Sequence, residues 1–258
     1  MSQRACAELV RQHDPDRFAA TLAAPAAARP QLWPIYALNL QLARAPWASS
    51  EPLVAEMRLQ WWVDALGDLA KGKAAPQHEV LQALAPLLAE TPALAVPLAA
   101  LAEAQRCMCW REGFASAEAL AAHLDATSGN LMWAAALALG APVAAEPVVR
   151  DFAFGAGSAN WLLAVPELSR RGLQPLPEPA AESVQAQALA GLARIAAARK
   201  ARAALPRNAA PALFSGWLAR GVLRRAAAAP ERVAEGRLAP SEFARRAGLM
   251  LAAFTGRW

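Results

Sequence analysis

Between Arg29 and Asp68 the chain carries two apolar stretches at helical spacing, one ending at Ala45-Pro46 and the next opening after Ser49-Ser50-Glu51-Pro52. The second places Met57, Trp61, Ala65 and Leu66 at intervals of three and four, with Leu59 and Trp62 widening the apolar face. That interval is the period of an α-helix, and serines followed by proline are the usual punctuation at a helix start. Two such faces this close in sequence need further helices to cover them. The stretch is therefore core material first, with any chemistry mounted on it.

The rest of the chain agrees. It is rich in alanine, 56% hydrophobic and has one tyrosine, a composition that favours helix. Most of its 20 prolines fall where helical patterns break. At 258 residues the chain is long enough for one large helical domain or two small ones, and with no repeat or low-complexity linker a single domain spanning 1–258 is expected. Residues 1–24 read as two helical pieces split at Asp14-Pro15-Asp16, with Cys6, Leu9, Val10, Phe18 and Leu22 as core. Lys71-Gly72-Lys73 ends the Trp61-Trp62 helix, and a broken helical region follows from Val80 to Leu101. A helix from Leu101 to Trp110 comes next, then one from Ser116 past His123 to Gly140. Further helices are predicted over Phe152 to Pro166, Ala180 to Ala204, Phe214 to Ala229 and Ser241 to Phe254. The twenty uncharged residues between Asp125 and Glu146 are long enough to span a bilayer, but alanine and polar residues dilute them, so a buried helix is expected.

Charge is uneven. Residues 194–258 hold 13 Lys or Arg against 3 Glu, a balance of +10, while residues 1–193 hold 13 against 18, a balance of −5. A basic C-terminal third suits an anionic membrane surface, an acidic partner or a diphosphate, with Arg220, Arg224 and Arg225 as the best cluster at helical spacing. The plainer reading is a solvated face. Nucleic acid is a poor fit, because most of the basic stretch lacks aromatic residues. The first twenty residues are interrupted by charges and contain no apolar export core. With three cysteines, Cys6, Cys107 and Cys109, the reducing cytoplasm is expected, with a peripheral place at the inner face of the cell membrane as the alternative. No second Cys or His pair stands at zinc spacing from Cys107-Met108-Cys109.

Arg29, Leu32, Tyr36-Ala37-Leu38, Leu59, Trp62 and Leu66, together with Phe154-Gly155, Gly172 and Leu176-Pro177, carry a family resemblance. They resemble the squalene and phytoene synthases, all-α enzymes that join two prenyl diphosphates head to head. The resemblance implies an isoprenoid-synthase-type bundle around a central cavity. It also implies two acidic Mg²⁺-binding motifs, and these are where the chain departs. The first falls on Ala43, Arg44 and Trp47; the second on Val165 and Pro166, with Glu167 the one acid remaining. Leu173 replaces an arginine of the family, and His123 stands where the family has a tyrosine.

Mg²⁺ requires hard oxygen ligands, chiefly carboxylates. With those positions lost, no cofactor is expected, and Mg²⁺ enters only if the enzyme reading holds with unorthodox ligands. Asp64 and Asp68, four apart and downstream of Glu51 and Glu56, are the weak candidates for such a site. The stronger reading of Glu56, Arg58, Asp64 and Asp68 is the polar face of an amphipathic helix. The candidate pocket comprises Tyr36, Asn39, Arg44, Glu56, Trp61, Asp64 and Asn160, with Arg44 expected to pair with Glu56 or Asp64. The pattern is closest to a catalytically degenerate branch that includes a mitochondrial complex I assembly factor. What that implies is a non-catalytic binding or assembly protein, with a protein partner in a respiratory membrane complex. Two alternatives stay open: a prenyl-diphosphate transferase with unorthodox metal ligands, and a peripheral membrane protein that binds an apolar isoprenoid or lipid.

Overall fold

A computed structural model describes residues 2–255 and 258, and all regular structure among them is helical. The helices are α1 (Ser2–His13), α2 (Pro15–Ala23), α3 (Arg29–Arg44), α4 (Pro52–Ala70), α5 (Glu79–Glu90), α6 (Ala95–Ala104), α7 (Ala117–Leu124), α8 (Asn130–Ala138), α9 (Glu146–Arg170), α10 (Ala181–Lys200), α11 (Ala219–Ala228), α12 (Glu231–Ala234) and α13 (Glu242–Thr255). Their starts follow local chemistry. The Asp14 carboxylate accepts the Arg17 backbone N–H at 3.0 Å and opens α2, and the Ser116 hydroxyl accepts that of Ala119 at 3.2 Å and opens α7. Gly72 and Gly172 close α4 and α9 with φ of +77° and +85°, a left-handed turn that a Cβ would strain.

Two helices organise the packing. Helix α3 is buried on almost every side, with Leu32, Ile35, Tyr36, Ala37, Leu38 and Leu42 nearly inaccessible. It is enclosed by α1, α5 and α8. Helix α9 has Phe152 through Ala159 buried without a break, covered by α10 and α11. Apolar residues all round a helix, and not a single stripe, are what such burial demands. The approach of α10 to α9 is set by glycine. A Cβ on Gly155 would come within 2.4 Å of Ile195 Cγ1 and 2.7 Å of the Gly191 carbonyl oxygen.

Helix α4 lies differently from its sequence reading. Its buried face is Ala55, Leu59, Trp62, Ala65, Leu66 and Leu69, whereas Met57 is 72% and Trp61 42% exposed. Adjacent tryptophans point about 100° apart on a helix, so one alone can enter the core. Trp62 does, and Trp61 packs on its edge and on His78, with centroids 4.9 and 5.8 Å away. In the preamble Cys6 and Val10 are core, but Leu22 is exposed. The predicted helix from Ser116 to Gly140 is one helical path with a wider π-type turn over Asp125–Gly129. The expected Phe214 helix begins only at Ala219, after a tight turn over Ala210–Gly216. No helix among the described residues is long and apolar enough to cross a membrane.

Candidate functional site

The walls of α3 and α9 stand apart around a central cleft of about 250 Å³. Asn39, Ala43 and Trp47 come from α3 and the turn after it, and Asn160, Ala164 and Leu168 from α9. The π-type turn supplies Thr127 and Ser128, and α7 supplies His123. Residues 43 and 47, and 164 and 168, are each four apart. Each pair is therefore one helical turn on a single face. At all four places the side chain is apolar: Ala, Trp, Ala and Leu.

Part of the predicted motif placement needs correcting. Ala43 and Trp47 face the cleft, but Arg44, one residue and about 100° further round α3, is exposed to solvent. Among the described residues no carboxylate lies within ion-pair reach of Arg44, so the expected pairing with Glu56 or Asp64 is absent. On α9 the cleft-facing positions are Ala164 and Leu168, not Val165, Pro166 and Glu167. Val165 and Pro166 line a separate apolar groove of about 850 Å³ with Leu173, Leu176 and Val184. Glu167 points outward between Arg170 and Arg171, with its Oε1 accepting from Arg171 Nε at 2.6 Å.

The acids of α4 also stay out of the cleft. Glu56 accepts the Trp110 indole N–H at 2.9 Å, Asp64 accepts from Gln60 at 2.7 Å, and Asp68 pairs with Lys73 at 2.9 Å. Each of the three already has a partner of its own. Of the candidate pocket residues only Asn39 and Asn160 line the cleft, and Asn160 is open to solvent, not buried. Tyr36 is fully buried beneath it, and its hydroxyl faces the Ala212 carbonyl oxygen at 3.4 Å. Burial pushes the Tyr36 phenol pKa up.

Sequence reading missed three features. Arg17 lines the cleft, with its guanidinium 5.2 Å from the Tyr36 ring centroid and 3.2 Å from Asp14, while its Nε is buried without a hydrogen-bond partner. His123 sits among Phe114 and Trp161, with centroids 5.1 and 5.4 Å away, and its Nδ1 is 3.4 Å from Cys107 Sγ. Burial lowers the His123 pKa to about 4 and raises that of the Cys107 thiol. The pair is thus a neutral thiol beside a neutral imidazole. Third, Trp47 at the mouth of the cleft lies under two guanidiniums, Arg171 at 5.0 Å and Arg111 at 6.0 Å from its centroid. A separation of sixteen residues between Cys107 and His123, or of more than a hundred between Trp47 and Arg171, leaves no periodic signal in sequence.

The donor set does not suit Mg²⁺. The cleft offers amides, hydroxyls, an imidazole and a cation, with no carboxylate among its lining residues. Among the described residues no three His, Cys, Asp or Glu side chains gather closely enough to hold a metal ion. Arg220 and Arg224 are exposed on α11, but Arg225 is half-buried with Nε and Nη2 enclosed and unpartnered, so the three do not share one face.

A family model described as squalene/phytoene synthase matches residues 10–180. A dehydrosqualene synthase crystallised in complex with ligand superposes with a TM-score of 0.78 at 13% identity, covering 96% of this chain and 94% of that one. Squalene synthase HpnC from Alicyclobacillus acidocaldarius superposes with a TM-score of 0.71 at 15% identity, covering 87% and 92%. A search of curated proteins by sequence returns no match. At these identities the structural likeness shows the isoprenoid synthase fold, and the family follows from the sequence match: the chain belongs to the squalene/phytoene synthase family.

Proposed function

We propose that this chain is a non-catalytic member of its family that acts by binding, as an assembly factor for a respiratory membrane complex. The observation that supports this is the apolar character of Ala43, Trp47, Ala164 and Leu168, the four positions that face each other across the cleft. Ionising a prenyl diphosphate develops negative charge on the leaving group, and cations held by carboxylates are what stabilise it. Alanine, tryptophan and leucine cannot hold them. The cleft is also small: about 250 Å³ is below the roughly 300 Å³ at which pockets for drug-sized ligands begin. Purified protein supplied with Mg²⁺ and farnesyl or geranylgeranyl diphosphate is expected to release no pyrophosphate above a protein-free blank. Affinity capture from native membranes is expected to recover subunits of one respiratory complex. Metal-dependent pyrophosphate release would overturn the non-catalytic reading, and capture without such subunits would overturn the assembly role.

A second reading, binding of an apolar isoprenoid or lipid chain, is favoured by the 850 Å³ groove beside α9. Its lining of Val165, Pro166, Leu173, Leu176, Val184 and Val233 is the kind of surface an acyl or prenyl chain covers. Extraction of the protein purified under native conditions, followed by mass spectrometry, tests it; a lipid-free extract rejects it.

A further inference from the structure

A third concavity, of about 640 Å³, shares no residue with the central cleft and lies where α10, α11 and α13 come together against Phe152 of α9. Arg199, Arg202 and Arg220 line it, beside the indoles of Trp217 and Trp258. The chain pairs other arginines nearby. Arg194, five residues before Arg199 on α10, holds Asp151 at 2.5 Å, and Arg245 of α13 is paired with both Asp16 and Glu242. Among the described residues no Asp or Glu side chain pairs with Arg199, Arg202, Arg220 or Arg224. Arg199 Nε donates instead to the Trp258 carbonyl oxygen at 2.8 Å, and the Trp258 ring stands edge-on to Phe152 with centroids 5.1 Å apart. Burial, and repulsion from Arg220 and Arg224, lower the Arg199 pKa. Burial is the larger cause of that lowering, and the two neighbouring guanidiniums add to it.

Like charges gathered in a concave, partly dry place are unfavourable until an anion joins them. Guanidinium forks match the spacing of phosphate oxygens, and the aromatic wall beside them offers cover for an apolar group. We propose that this pocket binds a phosphorylated amphiphile, with Arg199, Arg202 and Arg220 holding the phosphate and Trp217 and Trp258 covering the apolar portion. The same chemistry is met in a soluble alkyl or prenyl phosphate and in the headgroup of an anionic phospholipid. Apart from Phe152, every residue lining the pocket lies beyond residues 10–180, and the proposal is independent of the reading of the central cleft.

Octyl phosphate, with octanol and inorganic pyrophosphate as partial probes, would be titrated against tryptophan fluorescence, which Trp217 and Trp258 report. Octyl phosphate is expected to bind more tightly than either partial probe. Arg202→Gln and Arg220→Gln alter exposed side chains and leave the fold intact by circular dichroism. Each is expected to weaken binding about tenfold, as the loss of one charged hydrogen bond does. Arg194→Gln, which removes an already paired arginine, should change it less than twofold. Co-sedimentation with phosphatidylcholine vesicles, with and without phosphatidic acid, separates the sources. Arginine-dependent binding to soluble octyl phosphate, to phosphatidic acid vesicles or to both supports the site and says which source it serves. No arginine-dependent binding to either, or octanol binding as well as octyl phosphate, overturns it.

Discussion

The guanidinium of Arg171 lies 5.0 Å from the centroid of the Trp47 indole while its Nε holds Glu167 at 2.6 Å. An acid of the second motif region and an aromatic of the first are thus tied together through one arginine at the mouth of the cleft. Trp47 is also one of the residues that line the cleft. Trp47→Ala removes the ring and both of its cation contacts, and should lower stability by about 2 kcal/mol, less than the roughly 3–5 kcal/mol of a fully buried aromatic. Urea unfolding with an unchanged slope measures this.

If the apolar quartet is what disables metal binding, carboxylates restored there should revive it. In Ala43→Asp/Ala164→Asp each cleft wall gains one carboxylate, and two acids facing each other in a small cleft repel. The double variant should melt lower than the wild type without metal and recover with millimolar Mg²⁺, since a ligand that binds only the folded state stabilises it. The wild type should not respond to Mg²⁺. Scanning calorimetry in both conditions is the measurement, and a double variant indifferent to Mg²⁺ contradicts the geometry given for these positions.

The bundle was legible in sequence because its signals are local. Asp14-Pro15, Ser116, Gly72 and the three-four spacing each act within a few residues, and each stands where expected. Sides of helices were harder. Trp61 and Met57 fit an apolar stripe as well as Trp62 does, and only the neighbours of α4 decide which face is covered. The second motif was set at Val165 and Pro166 by the resemblance alone, and only the packing of α9 shows that Ala164 and Leu168 are the residues of this stretch lining the cleft. Arg44 illustrates a different limit. A cation at a helix end reaches water for little energy, and no pattern along the chain reveals that escape.

Gly155 gives a test of the α9–α10 contact whose sign is informative. In an open helix glycine to alanine stabilises by roughly 1 kcal/mol. Here the added methyl would meet Ile195 Cγ1 at 2.4 Å and the Gly191 carbonyl oxygen at 2.7 Å, and backbone cannot step aside cheaply. Gly155→Ala should therefore destabilise, by about 1–3 kcal/mol. Gly67→Ala on α4, where a Cβ meets nothing within 4 Å, should be neutral or stabilising. Paired chemical denaturation of the two variants checks both signs together.

His123 should make the protein acid-sensitive above the range of ordinary carboxylates. Burial among Phe114 and Trp161 holds its pKa near 4, against about 6.5 for an exposed imidazole. Its Nδ1 faces the Cys107 thiol, a neutral group that does not compensate a proton. The unfolded chain therefore takes up the proton first. Above pH 6.5 both states are neutral and nothing is lost; as pH falls from 6.5 to 4 the folded state loses stability at about 1.4 kcal/mol per unit, roughly 3 kcal/mol in all. His78, whose pKa burial also lowers, adds to the same window and is unchanged by substitution at 123. His123→Phe keeps a ring between Phe114 and Trp161 and has nothing to titrate. Its stability at neutral pH can differ from the wild type in either direction, so the slope is the readout. Urea unfolding at half-unit steps from pH 7.5 to 4 should show the wild-type curve falling more steeply than that of His123→Phe. Parallel curves would mean that the imidazole is protonated in place, and that the aromatic enclosure is open to water.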